Sequence, residues 1–234
     1  METRISVKDL NLYYGSNHAL KNVSMDIATN KVTAFIGPSG CGKSTLLNII
    51  AGFHKPTSGS AKMGDEEING PNWKRGVVFQ TPPLYPWLNI YDNIAFGPRK
   101  RKLPKDQIER DVNKYIELVG LGDFKKQKPY ELSGGMCQRV MIAIAMSMKP
   151  DYLIADEPTT ALDVTIQNQI MELLKEINEK EQNSMLFITH DLNLARRICH
   201  RVAVMKDGRI VEQGKTEDIF ENPREEYTRT LIEA

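Results

Sequence analysis

Cysteine is scarce in this 234-residue chain, and the three that occur, Cys41, Cys137 and Cys199, are odd in number and far apart. That excludes a disulfide framework and a thiolate zinc site, and points to a reducing compartment. Neither sign of charge is in excess: 31 basic residues face 30 acidic ones, for a net charge of +1. No general attraction to nucleic acid or to an acidic membrane surface follows, and no nucleic-acid partner is expected. Long hydrophobic runs are missing too. The apolar stretch Val140 to Met148 is too short to span a bilayer, and Met1 to Lys8 has no secretory h-region. Any membrane role therefore requires a separate partner. What remains, 41% hydrophobic and 26% charged residues, is ordinary globular composition that can bury a sizeable core. The basic run Arg99-Lys100-Arg101-Lys102 reads as a solvated face.

No repeat, low-complexity segment or linker interrupts the chain. Residues Ile5 to Leu12 and Val23 to Ile27 alternate as half-buried strands, with a polar loop at Tyr14 to His18 between them. Lys31 to Ile36 is a β-rich apolar strand running into a glycine loop, and the sequence from Ser44 reads as a helix ended by Gly52. Gly76 to Gln80 is another buried strand. The stretch from Thr81 to Pro104 changes character, with five prolines, and a helix follows with Ile108, Val112, Tyr115, Ile116 and Val119 on one face. Thr81 to Leu132 thus reads as a mostly helical inserted subdomain. Further on come a helix from Ser133, a strand Tyr152 to Ala155, a helix carrying Ile166 to Ile177, a strand Ser184 to Thr189 and a helix near Leu192 to Cys199. Val202 to Met205 and Ile210 to Glu212 then flank the turn Asp207-Gly208. Strands alternating with helices imply a largely parallel sheet.

The glycine loop is Gly37-Pro38-Ser39-Gly40-Cys41-Gly42-Lys43-Ser44-Thr45. Between a strand and a helix, such a loop wraps phosphates with successive backbone N–H groups and the helix N-terminus. Lys43 spans the β- and γ-phosphates of a nucleoside triphosphate and the Ser44 hydroxyl is a Mg²⁺ ligand. Asp156 ends a buried strand, where an ionised carboxylate is costly unless it faces a cation, so it suits Mg²⁺. Glu157, one residue on, suits a general base for water. A second glycine motif, Leu132-Ser133-Gly134-Gly135-Met136, opens a helix: the Ser133 hydroxyl, the bare N–H groups of Gly134 and Gly135 and the helix dipole all favour an anion. A glycine pair would otherwise weaken that helix.

Taken together, these motifs make the chain resemble, over its whole length, an ATP-binding-cassette (ABC) ATPase subunit of a transporter. The resemblance implies an α/β fold: a P-loop NTPase core with a mainly parallel sheet, an N-terminal antiparallel β portion and an inserted α-helical subdomain. It implies one domain over 1–234, with the nucleotide-binding core in 1–80 and 133–234 and the helical subdomain in 81–132. ATP and Mg²⁺ are the expected cofactors. In the family, the Leu-Ser-Gly-Gly motif contacts the γ-phosphate of ATP held by a second copy or paralogue, so Ser133, Gly134 and Gly135 belong to the partner's site in a head-to-tail dimer. Gln80 stands where the family has a glutamine at a strand end that contacts Mg²⁺ and the attacking water. Ala161-Leu162-Asp163 resembles the loop that crosses the dimer interface, and His190 the histidine that contacts the γ-phosphate. Tyr14, before Gly15, matches the aromatic that stacks on adenine, with Tyr13 as its rival. Cys137 stands where the family has arginine or glutamine, which implies weakened dimer contacts rather than lost activity. Near a helix N-terminus its thiol is either acidified or simply buried.

Parts of the chain resemble phosphate, nitrate/sulfonate/taurine and oligopeptide/nickel importer ATPases, so the class implied is a prokaryotic solute importer with unassigned cargo. Such a subunit would be cytoplasmic and held on the inner face of the membrane by transmembrane permease subunits, which Tyr85 to Ile94 would help to receive. A divergent natural subunit and a composite sequence both fit this mixture. A soluble cassette enzyme would predict a coiled-coil insertion, a tandem cassette or basic arms, and a regulator without turnover would not need Glu157 and His190.

Overall fold

Two long strands open the chain, β1 (Thr3–Tyr14) and β2 (Asn17–Ala28), paired antiparallel with Tyr14 opposite Asn17. They are longer than the sequence implies. In place of a loop from Tyr14 to His18 there is a turn of two residues, with Gly15 at φ +60°. A cross-strand stack of Tyr13 on His18, with ring centroids 3.9 Å apart, carries the pairing to the turn. The computed structural model describes residues 3–160 and 162–233, the side chains of the first two of these aside. The readings made on Met1, Glu2 and Ala161 lie outside the described residues.

The chain forms two compact units: one takes the sequence up to Asn72 and from Asn178 on, the other runs from Trp73 to Ile177. In the first unit, β1 also pairs with β4 (Ser58–Met63), which carries the short β5 (Glu66–Glu67). Ile5 and Val7 of β1 and Val23, Met25 and Ile27 of β2 are buried, as alternation requires. A register shift between Val7 and Leu10, with Asp9 at φ +47°, moves the buried phase of β1 to Leu10 and Leu12. The third strand, β3 (Val32–Ile36), is buried at every residue and leads through the glycine loop into α1 (Lys43–Ala51). Gly52 ends α1 with φ +90°, its N–H returning to the carbonyls of Asn48 and Ile49.

The second unit contains β6 (Arg75–Val78), α2 (Ile90–Lys100), α3 (Lys105–Leu118), α4 (Gly134–Ser147), β7 (Tyr152–Asp156) and α5 (Val164–Glu181) as far as Ile177. Helices α2, α3 and α4 pack on one another, burying Ile90, Ile94, Ile108, Val112, Tyr115, Val140 and Ile142. Helix α2 starts within the proline-rich stretch that follows Thr81. Asn89 caps it by accepting the Asp92 N–H at 2.7 Å. Pro98 inside it cannot donate to the Ile94 carbonyl; the Ser147 hydroxyl of α4, which donates to the Ile144 carbonyl at 2.8 Å, shares its proton with the Ile94 carbonyl at 3.3 Å. Buried Asn93 binds the preceding loop, accepting from Tyr85 N–H and donating to the carbonyls of Tyr85, Leu88 and Asn89. The basic run at the end of α2 is more than a solvated face: Arg99 pairs with Asp92 at 2.8 Å and the Arg101 guanidinium lies 3.9 Å from the Trp73 ring centre.

Back in the first unit follow β8 (Ser184–Ile188), α6 (Leu192–Ile198), β9 (Arg201–Lys206), β10 (Arg209–Lys215), α7 (Thr216–Glu221) and α8 (Glu226–Glu233). Here β3 lies between β8 and β9, parallel to both, and β10 joins antiparallel to β9. In the second unit β6 and β7 are parallel. Strands β3 and β8 are buried from end to end because both faces are covered, and apart from Thr33 and Ser184 they are apolar. No helix among the described residues is long and apolar enough to cross a membrane.

Candidate nucleotide-binding site

In a parallel sheet, ligands gather beyond the carboxyl ends of the strands, and the candidate residues sit on such ends in both units. In the first unit the glycine loop leaves β3 after Ile36. At Gly37 the backbone has φ +146°, and a Cβ there would lie 2.2 Å from the Met205 carbonyl oxygen; at Gly42, φ +106°, it would lie 2.9 Å from a Leu20 methyl. Only glycine fits either position. Pro38, Ser39 and Gly40 form the exposed tip of the loop, Thr45 is half-buried and Ser44 faces solvent at the start of α1.

Lys43 is buried, and its ammonium donates to the carbonyls of Gly37 and Pro38, both at 2.9 Å, with Cys41 Sγ at 3.8 Å. The loop thus curls around its own cation. Burial pushes the Cys41 thiol up, against the opposing pull of Lys43. The loop is braced from behind by the β9–β10 turn, where Gly208 N–H donates to the Cys41 carbonyl at 2.9 Å.

Beside it opens a cleft of about 480 Å³, lined among others by Tyr14, His18, Gly40, Gly42, Thr45 and Asp207. Tyr14, about half exposed, lines this cleft, whereas Tyr13 is engaged with His18. His190 follows β8, whose Ile188 lies opposite Phe35 of β3; it therefore leaves the sheet beside the strand that feeds the glycine loop, and its side chain is exposed.

In the second unit, Val78 of β6 lies opposite Ala155 of β7, so Gln80 and the Asp156-Glu157 pair emerge at the same end. Gln80 does not end a strand, as its sequence suggests: β6 stops at Val78, and Gln80 is exposed in the bend beyond. Asp156 is the last residue of β7, and both carboxylates are half-buried. Glu157 has φ +45°. Asp163 is exposed and caps α5, accepting the Ile166 N–H at 3.0 Å.

Ser133 is the N-cap of α4 and accepts the Met136 N–H at 3.3 Å. As acceptor there, the hydroxyl keeps its proton for an anion. Gly134 is exposed at the helix start, while Gly135 is buried against Ile166. The Cys137 thiol is not acidified: burial pushes it up, and Sγ lies 3.7 Å from the Pro129 carbonyl.

Sequence reasoning missed three polar residues that hold these turns. Gln138 of α4, buried, donates to the Phe79 carbonyl at 3.2 Å, next to Gln80. Gln167 of α5 donates to the carbonyls of Thr159 and Leu162. The Thr160 hydroxyl donates to Glu157 Oε2 at 2.8 Å. Their partners are mostly backbone atoms, which leave no pattern in a sequence.

Strand, glycine loop and helix, set in an α/β architecture of mainly parallel strands with an antiparallel N-terminal sheet, define a P-loop NTPase fold. The profile of the ABC transporter family matches residues 20–160. The spermidine/putrescine import ATP-binding protein PotA of Clostridium acetobutylicum is 39% identical over 231 residues, covering 97% of this chain and 66% of that protein. The methionine import ATP-binding protein MetN 2 of Bacillus cereus is 38% identical over 225 residues, covering 93% of this chain and 66% of that one. The chain thus spans just under two thirds of the length of these curated relatives. Among solved structures, cbiO1 from Clostridium perfringens, part of the ABC transporter complex cbiONQ, matches with a TM-score of 0.87 at 32% identity over the whole of both chains. A dimeric ATP-binding cassette in a post-hydrolysis state, bound to ADP and phosphate, matches with a TM-score of 0.80 at 33% identity over 91% of this chain and 98% of that one. The chain belongs to the ABC transporter family.

Proposed function

We propose that this chain is the ATP-binding and ATP-hydrolysing subunit of a prokaryotic solute importer, working as a head-to-tail dimer with a second copy or a paralogue. One observation carries the reading: a glycine loop curled around a buried lysine occurs in the same chain as a serine-capped helix whose first turn is two glycines. The loop, Gly37 to Thr45, holds the triphosphate of one ATP, with Tyr14 against the adenine. Ser133, Gly134 and Gly135 offer a hydroxyl and unpaired helix N–H groups to the γ-phosphate of ATP on the other copy. Asp163 reaches the same interface and His190 contacts the γ-phosphate. The domain reading, a nucleotide-binding core in 1–80 and 133–234 with a helical subdomain in 81–132, belongs to this proposal.

Ser44, Gln80 and Asp156 offer a hydroxyl, an amide carbonyl and a carboxylate. That hard-oxygen donor set suits Mg²⁺, which takes one or two carboxylates and fills its shell with substrate phosphates and water. Among the described residues no group of three or more His, Cys, Asp or Glu side chains could hold a metal. Bound there, Mg²⁺ supplies charge neutralisation on the phosphate oxygens. Glu157 accepts a proton from the attacking water, and Lys43 follows the charge that builds on the γ-phosphoryl group, so most of the rate enhancement is positioning and electrostatics.

Closure on ATP would drive the permease partner, and hydrolysis would reset it. The exposed Tyr85 and Trp87, with Phe96, offer aromatic surface to such a partner, which would hold the subunit on the inner face of the membrane. Relatives of near-equal identity are named for spermidine/putrescine and for methionine, so the cargo is assigned no further than solute import. Glu157→Gln tests the reading. It should lower MgATP turnover by roughly a hundredfold or more and trap an ATP-bound dimer on size-exclusion chromatography; a variant that hydrolyses at the parent rate, or stays monomeric with ATP, contradicts it.

A further inference from the structure

The turn after β7 restrains its own carboxylate. Glu157 sits at φ +45°, a conformation that non-glycine residues adopt only where the surroundings over-determine it. Two bonds close the turn behind it: Thr160 N–H donates to the Glu157 carbonyl at 3.1 Å, and the Thr160 hydroxyl donates to Glu157 Oε2 at 2.8 Å. The turn is gripped from α5 as well. Gln167 donates from one amide nitrogen to the Thr159 carbonyl at 3.2 Å and to the Leu162 carbonyl at 3.0 Å, on either side of Thr160. The frame therefore runs from helix to backbone to hydroxyl to carboxylate, entirely within the second unit.

A glutamate reaches its target through three rotatable bonds, and a reacting group misplaced by about 1 Å costs on the order of a hundredfold in rate. One charge-assisted bond at 2.8 Å, from a hydroxyl whose backbone is itself held, removes much of that freedom. We propose that Thr160 is a positioning residue for Glu157: its hydroxyl holds the carboxylate where it can take a proton from water, and Gln167 keeps the Thr160 turn in place. This rests on the reading of Glu157 as the general base. Thr160 touches no substrate and acts only through that carboxylate.

The test is MgATP turnover by the purified protein with Thr160→Val, which removes the hydroxyl and keeps the shape, beside Thr160→Ser, which keeps the hydroxyl. The Val variant should lose kcat by roughly tenfold, with KM for ATP and the melting temperature unchanged; the Ser variant should stay near the parent rate. In a Glu157→Ala background, Thr160→Val should lower the residual single-turnover rate no further, because its route to the chemistry is gone. An equal loss in both backgrounds would show a general structural role and overturn the inference. A Val variant at full rate, with Glu157→Ala inactive, overturns the inference while leaving the base in place. Glu157→Ala at full rate overturns the base reading itself. Should Thr160→Val not fold, Thr160→Ala carries the same comparison.

Discussion

Replacing each of the two signature glycines by alanine separates a glycine needed for packing from one needed for function. At Gly135 a Cβ would stand 2.6 Å from the Ile166 Cγ2 methyl, well inside the 3.4 Å at which ordinary contact begins. At Gly134 it would meet only a Leu162 methyl at 3.6 Å, an ordinary contact. Neither residue has positive φ, so sterics alone distinguish them. Forcing one methyl into a packed site costs about 1–3 kcal/mol, and Gly→Ala within a helix returns up to about 1 kcal/mol.

Gly135→Ala should therefore be destabilised by about 1 kcal/mol net, a fall of roughly 2–4 °C in melting temperature for a chain of this length. Gly134→Ala should melt at or slightly above the parent temperature. Ile166→Leu deletes the offending Cγ2 at nearly constant volume and costs under about 1.5 kcal/mol alone; in that background Gly135→Ala should no longer destabilise. Turnover should divide the other way. Gly134→Ala, stable but with a methyl where the other copy's phosphate approaches on the proposed reading, should lose MgATP hydrolysis by roughly tenfold or more. Differential scanning fluorimetry and a phosphate-release assay read both quantities. A Gly134→Ala protein with full turnover, or a Gly135→Ala penalty that persists with Leu at 166, refutes the reasoning.

Lys43→Ala removes both the cation that gathers the loop carbonyls and its charge on the phosphates; MgATP affinity by isothermal titration should fall roughly a hundredfold, and unchanged affinity would contradict the assigned loop. His200 gives a pH test. Although His200 is exposed at the surface, partial desolvation of its ring, and then the charge of Lys31, hold its pKa below the ordinary histidine value. Its Nδ1 accepts the Val32 N–H at 3.1 Å; solvent screening keeps the effect on stability small. The unfolded chain takes up this proton first, so the contribution is complete above the ordinary value near pH 6.5 and is lost as pH falls through it. His200→Asn, which keeps an acceptor and cannot protonate, should flatten the decline in melting temperature between about pH 7.5 and about pH 5.5; an unchanged slope would remove His200 as a cause.

Much of the architecture was legible because buried parallel strands are short, continuous and apolar: Val32 to Ile36 and Ser184 to Ile188 stand out without any alternation. The glycine loop was legible for a different reason, since its glycines answer to backbone angles that no other residue takes. Less visible were the elements whose partners lie elsewhere in the chain. Strand β4, SGSAKM, has almost no apolar signal and exists because the edge of β1 pairs with it. Helix α2 accommodates its proline with partial help from a serine some fifty residues on. Gln80 looked like the end of an apolar run, but the ladder stops two residues sooner. Thr160, Gln167 and Gln138 answer to single carbonyl or carboxylate oxygens, and polar residues of that kind carry no periodicity.

The bond from Gln138 to the Phe79 carbonyl has a mechanical meaning. Gln138 lies one helical turn from the glycine pair, and Phe79 immediately precedes Gln80. Asn93 meanwhile clamps the loop after Gln80 onto α2, which packs on α4. A pull on residues 81–89 would therefore be felt at the start of α4 through this bond. On the proposed reading of two copies beneath a membrane partner, force from that partner would have a path to the glycine pair with no helix melting and no strand exchange along the way.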